Sequence, residues 1–197
     1  MKKGTITLLV VAGVLLLLVF NGCSSYNNMV KKQEATSTGW SQVENVYQRR
    51  ADLIPNLVNT VKGAANFEQK TLTDVVNARA SATQIKVDPN DLSPEQIKQF
   101  QARQGELSQA IGRLLMVSEQ YPDLKATQNF MELQSQLEGT ENRITVERQK
   151  FNETVKDYNT YIRNFPQVIY SGIFGFAKKG YFEATAGAEK APEVKFE

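Results

Sequence analysis

Two arginines and a carboxylate, Arg49, Arg50 and Asp52, stand directly before the run Leu53-Ile54-Pro55-Asn56-Leu57-Val58. Guanidiniums at the margin of an apolar helical stripe either hold an anion or partner, or pair with carboxylates on a neighbouring helix. Unpaired buried charge is too costly to leave alone. The candidate counter-charge is Glu141, one of four glutamates, Glu132, Glu138, Glu141 and Glu147, on a later helix. The same glutamates are the residue type of a metal or acid–base site, but at mixed phases on one long helix they read as a solvated face. The remaining composition narrows the chemistry further. The chain has no histidine, which removes histidine acid–base catalysis, a Ser-His-Asp triad and the Glu-x-x-His ligands of di-iron bundles. Its single cysteine, Cys23, excludes an intrachain disulfide and a thiolate zinc cage. With no glycine-rich phosphate loop either, the expectation is a non-enzyme that needs no cofactor and no metal.

The charge balance points the same way. The chain carries 23 Lys and Arg against 21 Asp and Glu, and two of the basic residues are Lys2 and Lys3, so the rest is neutral. A nucleic-acid binder needs a basic excess on some face, which argues against that class.

The elements that must position these residues are helices. After Cys23 the apolar period is helical nearly throughout, with no sustained alternation of the strand type. The first segment runs from about Ser24 to Lys62, with Tyr26, Val30, Trp40, Val43, Leu53, Ile54, Leu57 and Val61 on one side. Asn66 with Gln69 makes a capping-box start for the second, which ends near Gln84. After the loop Asp88-Pro89-Asn90-Asp91, Ser93-Pro94-Glu95-Gln96 restarts the chain with an N-cap, a proline at the first helical position and a glutamine three residues on. The third segment ends before Tyr121-Pro122-Asp123. The fourth, about Thr127 to Asn164, has a heptad-like seam from Phe130 through Leu137, Ile144, Phe151 and Tyr158 to Phe165, the signature of coiled-coil-like packing.

These residues carry a family resemblance. Tyr26-Asn27, Trp40-Ser41-Gln42-Val43, the Arg49–Val58 run, Val61-Lys62-Gly63, then Glu141-Asn142-Arg143-Ile144, Arg148, Phe151-Asn152, Tyr158-Asn159 and Phe165-Pro166 resemble the LemA family over most of the chain after Cys23. The resemblance implies a membrane-anchored, all-helical bundle. It supplies no biochemical activity, because the family has no established one.

The N-terminus fits an anchor. Lys2-Lys3 precede the nearly unbroken apolar run from Ile6 to Phe20. At about 1.5 Å per residue that run covers roughly 22 Å of a ~30 Å hydrocarbon core, and Thr5 with Asn21–Cys23 brings it close to sufficient. Two readings stand: a retained single-pass helix, or a lipoprotein signal in which Gly22 precedes a lipidated Cys23. Phe20 departs from the usual leucine of such a signal. Either way residues 1–23 tether the domain at a bacterial membrane, and Lys2-Lys3 favour that end inside and the bundle on the outer, periplasmic face.

The expected fold is therefore all-α: an elongated antiparallel four-helix bundle over 24–166, up-down-up-down, helices one and four longest. Helices two and three are too short to cover the whole one–four pair, which leaves a two-helix stalk toward the membrane. The antiparallel register places Glu141 level with Arg49 and Arg50, Asn159 near Asn27, and Arg148 near Gln42. With Asp52 and Asn152 these form a polar ladder that fixes register. Pro55 deprives the first helix of a backbone bond and bends it. The tail, 167–197, begins with Tyr170, Phe174, Phe176, Tyr181 and Phe182 beside Lys178-Lys179. That is the composition of a lipid interface, or of a third layer packed on the stalk. Residues 184–197 are mostly small and polar and read as poorly ordered. The leading functional expectation is a tethered scaffold or adaptor for an envelope protein; the alternative is a membrane organiser acting on lipid through the aromatic tail.

Overall fold

The computed structural model describes residues 3–63 and 67–184. Among them the secondary structure is all helical, in six helices: α1 (Lys3–Lys62), α2 (Gln69–Gln84), α3 (Pro94–Ser118), α4 (Pro122–Lys125), α5 (Gln128–Arg163) and α6 (Gln167–Phe174). Asn66 and residues 185–197 lie outside the described residues.

α1 differs from expectation at its start. It does not begin near Ser24 but runs unbroken from the apolar segment into the bundle, 60 residues or about 90 Å. Polar side chains along it fold back onto carbonyls of the preceding turn and so do not interrupt it. Asn21 Nδ2 donates to Leu17 O, Asn28 Nδ2 to Ser24 O and Ser41 Oγ to Ser37 O. α1 and α5 are antiparallel partners, since Gly39 meets Phe151 and Arg50 meets Glu141, and α6 follows on along α1, where Gly22 meets Tyr170. Ser93 occupies the N-cap of α3 without a side-chain cap bond; Gln96 Nε2 instead donates to Asp91 Oδ2 at 2.7 Å.

The core divides by level. At the end far from the apolar segment it is mainly aliphatic: Ile54, Leu57, Val61, Leu72, Val75, Leu107 and Leu114, closed by Phe130 and Leu137. α2 and α3 pack on α1 and α5 only here and in the middle. The middle is aromatic, with Trp40, Tyr47, Phe100 and Phe151 joined by Phe182 from the tail. Nearest the apolar segment the core shrinks to Met29, Tyr158 and Ile162, against which Tyr161, Tyr170 and Phe176 pack. Two sequence expectations fail here. Met29, not Tyr26 or Val30, is the fully buried residue of this turn, and Phe165 lies outside the seam, 80% exposed. The stalk is also not two-helical. α6 and the segment after it supply the missing layer.

Candidate functional site

Arg50 is 2% exposed, and three groups take up its charge. Nη1 donates to Glu141 Oε2 at 2.9 Å and to Ser108 Oγ at 2.7 Å. Nη2 donates to Gln104 Oε1 at 2.7 Å and to Gln104 O at 3.2 Å, and the guanidinium carbon sits 5.0 Å from the Tyr47 ring centre. Gln104, itself buried, passes the link to α2 by donating to Ala82 O. One arginine thus ties α1 to α2, α3 and α5. Glu141 is 54% exposed, so water screens the ion pair and the buried donors to Gln104 do more of the holding. Arg49 and Asp52 are exposed; Asp52 accepts a bond from Gln48 one turn earlier. Burial pushes the Tyr47 hydroxyl above its ordinary range, opposed by Arg148 and Arg50.

Pro55 is answered from another helix. Lacking an N–H, it leaves the carbonyl of Ala51 without its helical donor. Arg79 of α2 fills the gap, its Nε donating to Ala51 O at 2.7 Å. Sequence reasoning missed Arg79. The signal was the orphan carbonyl four residues before Pro55.

The second constellation holds the tail. α6 ends at Gly175 in the left-handed region (φ 75°), where glycine has no steric cost, and the chain turns back along α5 as an extended strap. Asn159 Nδ2 donates to Lys179 O while its Oδ1 accepts from Lys179 N–H, both at 2.9 Å. Asn152 does the same with Phe182, again at 2.9 Å each way. The spacing explains the pair. Seven residues of helix rise about 10.5 Å, and three residues of extended chain span about 10 Å. Gln101 of α3 makes a third two-way amide clamp on Glu183, and Arg148 Nη2 donates to Glu183 O at 2.8 Å. On the far side Gly180 N–H donates to Leu92 O. A Cβ at Gly180 would lie 2.7 Å from Pro94 Cα, so only glycine lets the strap approach this closely.

Phe182 is the anchor of the strap, 5% exposed, stacked on Trp40 and edge-on to Phe100 and Phe151, with the Arg148 guanidinium 4.8 Å from its ring centre. Lys179 is 2% exposed. Its Nζ donates to Asn90 O at 2.9 Å and lies 5.4 Å from the Tyr158 ring centre. Desolvation lowers its pKa from 10.5, partly opposed by Asp91 and Asp88. Tyr158 donates its hydroxyl to Ala177 O at 3.0 Å, and burial raises its pKa to about 12.

The structure therefore redistributes the expected ladder. Arg50 and Glu141 meet. Asn27 is exposed and does not pair with Asn159, and Arg148 turns to Glu183 and Phe182 rather than to Gln42. Asn152 and Asn159 grip the tail backbone, whose N–H and C=O groups at Lys179 and Phe182 have no helical partners and take the amides instead. The aromatic tail splits as well. Phe182 is core, so it is not available to lipid, and Phe176 is half-buried with its ring 5.7 Å from that of Tyr26. Tyr170 is half-buried against α1, and Phe174 remains 45% exposed and Tyr181 36%.

Cys23 is exposed. Tyr170, Ile173 and Phe174 border a groove with Val19 and Gly22 on one side of the Gly22–Cys23 bond and Cys23 and Tyr26 on the other. A Cβ on Gly22 would stand 3.3 Å from the Tyr170 ring, so helix packing accounts for a small residue here. Among the described residues one helix, α1, is long and apolar enough to cross a membrane, and no cluster of His, Cys, Asp and Glu could hold a metal ion.

An all-helical protein with a long apolar lead helix, in which the conspicuous polar side chains knit helices and strap together, is the class defined so far. The LemA family model matches residues 39–196, and the chain belongs to the LemA family. Magnetosome protein MamQ of Magnetospirillum gryphiswaldense is 27% identical over 207 residues, covering 95% of this chain and 76% of that protein. Magnetosome protein MamQ 2 of Paramagnetospirillum magneticum is 26% identical, covering 92% and 74%. Protein LemA of Metamycoplasma hominis is 24% identical over 145 residues, 74% of this chain and 59% of that protein.

Proposed function

We infer that this LemA-family chain is a non-enzymatic scaffold of the bacterial envelope, a four-helix up-down bundle tethered by a retained N-terminal transmembrane helix. The observation that carries the reading is how Arg50, Arg148, Asn152, Asn159 and Lys179 are used: each is bonded to another part of the same chain. A reactive site keeps such groups free for a substrate; a scaffold spends them on rigidity. That LemA and MamQ are not names of a reaction agrees with it. The packing of α6 across the Gly22–Cys23 bond favours a retained helix over cleavage and lipidation at Cys23, because cleavage would remove Val19 and Gly22 from that contact. Lys2-Lys3 favour the outer face for the bundle.

The partner is an envelope protein. The surface assigned to it is the groove of about 480 Å³ between α3 and α5, bordered by Tyr47, Gln101, Gly105, Gln109 and Arg148. A photo-crosslinking residue at Gln109, in the native host, should link to one protein, and Gly105→Trp, which fills open space, should abolish that adduct. Adducts to lipid or to the chain itself alone, unchanged by Gly105→Trp, would overturn the scaffold reading.

A further inference from the structure

We propose that α6 is a second membrane contact, whose outer face lies in the headgroup–acyl boundary of an anionic leaflet beside the point where α1 leaves it. This rests on the reading of the Ile6–Phe20 run as a retained anchor.

Three observations converge. The first is exposure: Val168, Ile169 and Ile173 are between 47% and 69% exposed and Phe165 just ahead of them is 80% exposed, while Phe174 turns to α1, its ring 5.1 Å from that of Tyr26. Scattered surface apolar residues need no explanation, but a contiguous set on a helix of eight residues does. The second is level. α6 flanks α1 from Val19 to Tyr26, across the end of the apolar run at Phe20. Its exposed face therefore continues the lipid-facing surface of α1 sideways, where an interfacial helix buries its apolar side by about 5–10 Å.

The third is charge. No acidic residue precedes Glu34, and none falls between Asp157 and Glu183, so all 21 acids lie elsewhere. The same acid-free stretches hold Lys31, Lys32 and Arg163 at that end, whereas Lys178, on the returning strap, borders a groove with Glu95. Antiparallel packing of α1 on α5 and α6 brings both stretches to one end of the molecule. A neutral bundle has thus cleared its membrane-facing end of acids and left bases there. A protein partner at this end has no such requirement; an anionic bilayer does, at roughly 1 kcal/mol per base near the surface.

The experiment uses the full chain in vesicles, with Cys23→Ser so that one introduced thiol carries an environment-sensitive dye. Ile173→Cys reports the face. Val146→Cys, also exposed on α5 (48% against 69% for Ile173) but about 26 residues (some 39 Å) farther along the bundle, is the control. Flotation is read first. In vesicles with phosphatidylglycerol, brominated acyl chains should quench the dye at 173 at least threefold more than at 146, and less in purely zwitterionic vesicles. A chain that fails to float overturns the anchor and the contact together. A chain that floats with equal quenching at 173 and 146 overturns the contact alone, and self-quenching between dyes at 173 would assign the face to a second copy instead. Quenching at 173 independent of lipid charge would overturn the anionic preference.

Discussion

The two ends of the bundle solve one problem in different ways. At the end far from the apolar segment α1, α2, α3 and α5 meet, and Ile54, Leu57, Leu107 and Leu114 close an aliphatic core. Toward the apolar segment α2 has run out and α3 still reaches Trp40 through Phe100, while α1 and α5 alone cannot bury Tyr158. There the chain brings back its own tail and fixes it by amide-to-backbone bonds from Asn152, Asn159 and Gln101. Burial is non-directional, so many apolar sequences would serve the distal end. An extended strap has no ladder of its own, so the proximal end depends on particular side chains at particular spacings.

The sharpest way to break the comparison is Phe182→Ala. Loss of a buried ring typically costs about 3–5 kcal/mol, and here the effect should be local. Trp40 fluorescence should shift toward that of an exposed indole, while distal amides around Leu107 keep their exchange protection. Leu107→Ala, with a cost of about 2–5 kcal/mol, should do the reverse. Next comes Arg50→Ala, at the boundary between the two regions. It strips Gln104 of its donor and should cost roughly 2–3 kcal/mol in urea melts, with Arg49→Ala close to neutral.

Tyr158→Phe removes one bond to the strap, worth about 1 kcal/mol, and gives the comparison a pH signature. The folded hydroxyl titrates at about 12 against 10.0 in the free residue. Its stabilisation is therefore complete below pH 10 and is lost as pH rises toward 12. Lys179 acts oppositely. Its folded pKa lies below 10.5, so the unfolded chain holds the extra proton and stability rises with pH up to that value. Strap amides should thus gain protection in the alkaline range below pH 10.5 and lose it above, and Tyr158→Phe should remove the loss. The smallest effect is Glu141→Ala, no more than about 1 kcal/mol because the carboxylate is half in water, yet still larger than Glu138→Ala.

What the sequence made legible follows the same division. The all-helical class and the level of Glu141 beside Arg50 came from apolar period and helix length, which act locally and add along the chain. Period could not show that Asn152 and Asn159 face the tail. Their heptad spacing was visible, but its match to three residues of extended strap becomes meaningful only once Gly175 has turned the chain back. Arg79 was hidden for a similar reason, since its partner is a backbone carbonyl. Cys23 drew attention through its neighbours Gly22 and Ser24, whereas Gly22 has a packing explanation in Tyr170.

The most direct test of the account is hydrogen exchange on full-length Gly180→Val in lipid nanodiscs, because a side chain there must collide with Pro94. The account predicts that the amides of Lys179, Phe182 and Glu183 lose protection together with those flanking Trp40 and Phe151, while those of Leu57, Leu107 and Leu114 are unchanged. Loss spread evenly over both ends, or an exposed strap with Trp40 and Phe151 still protected, would contradict it.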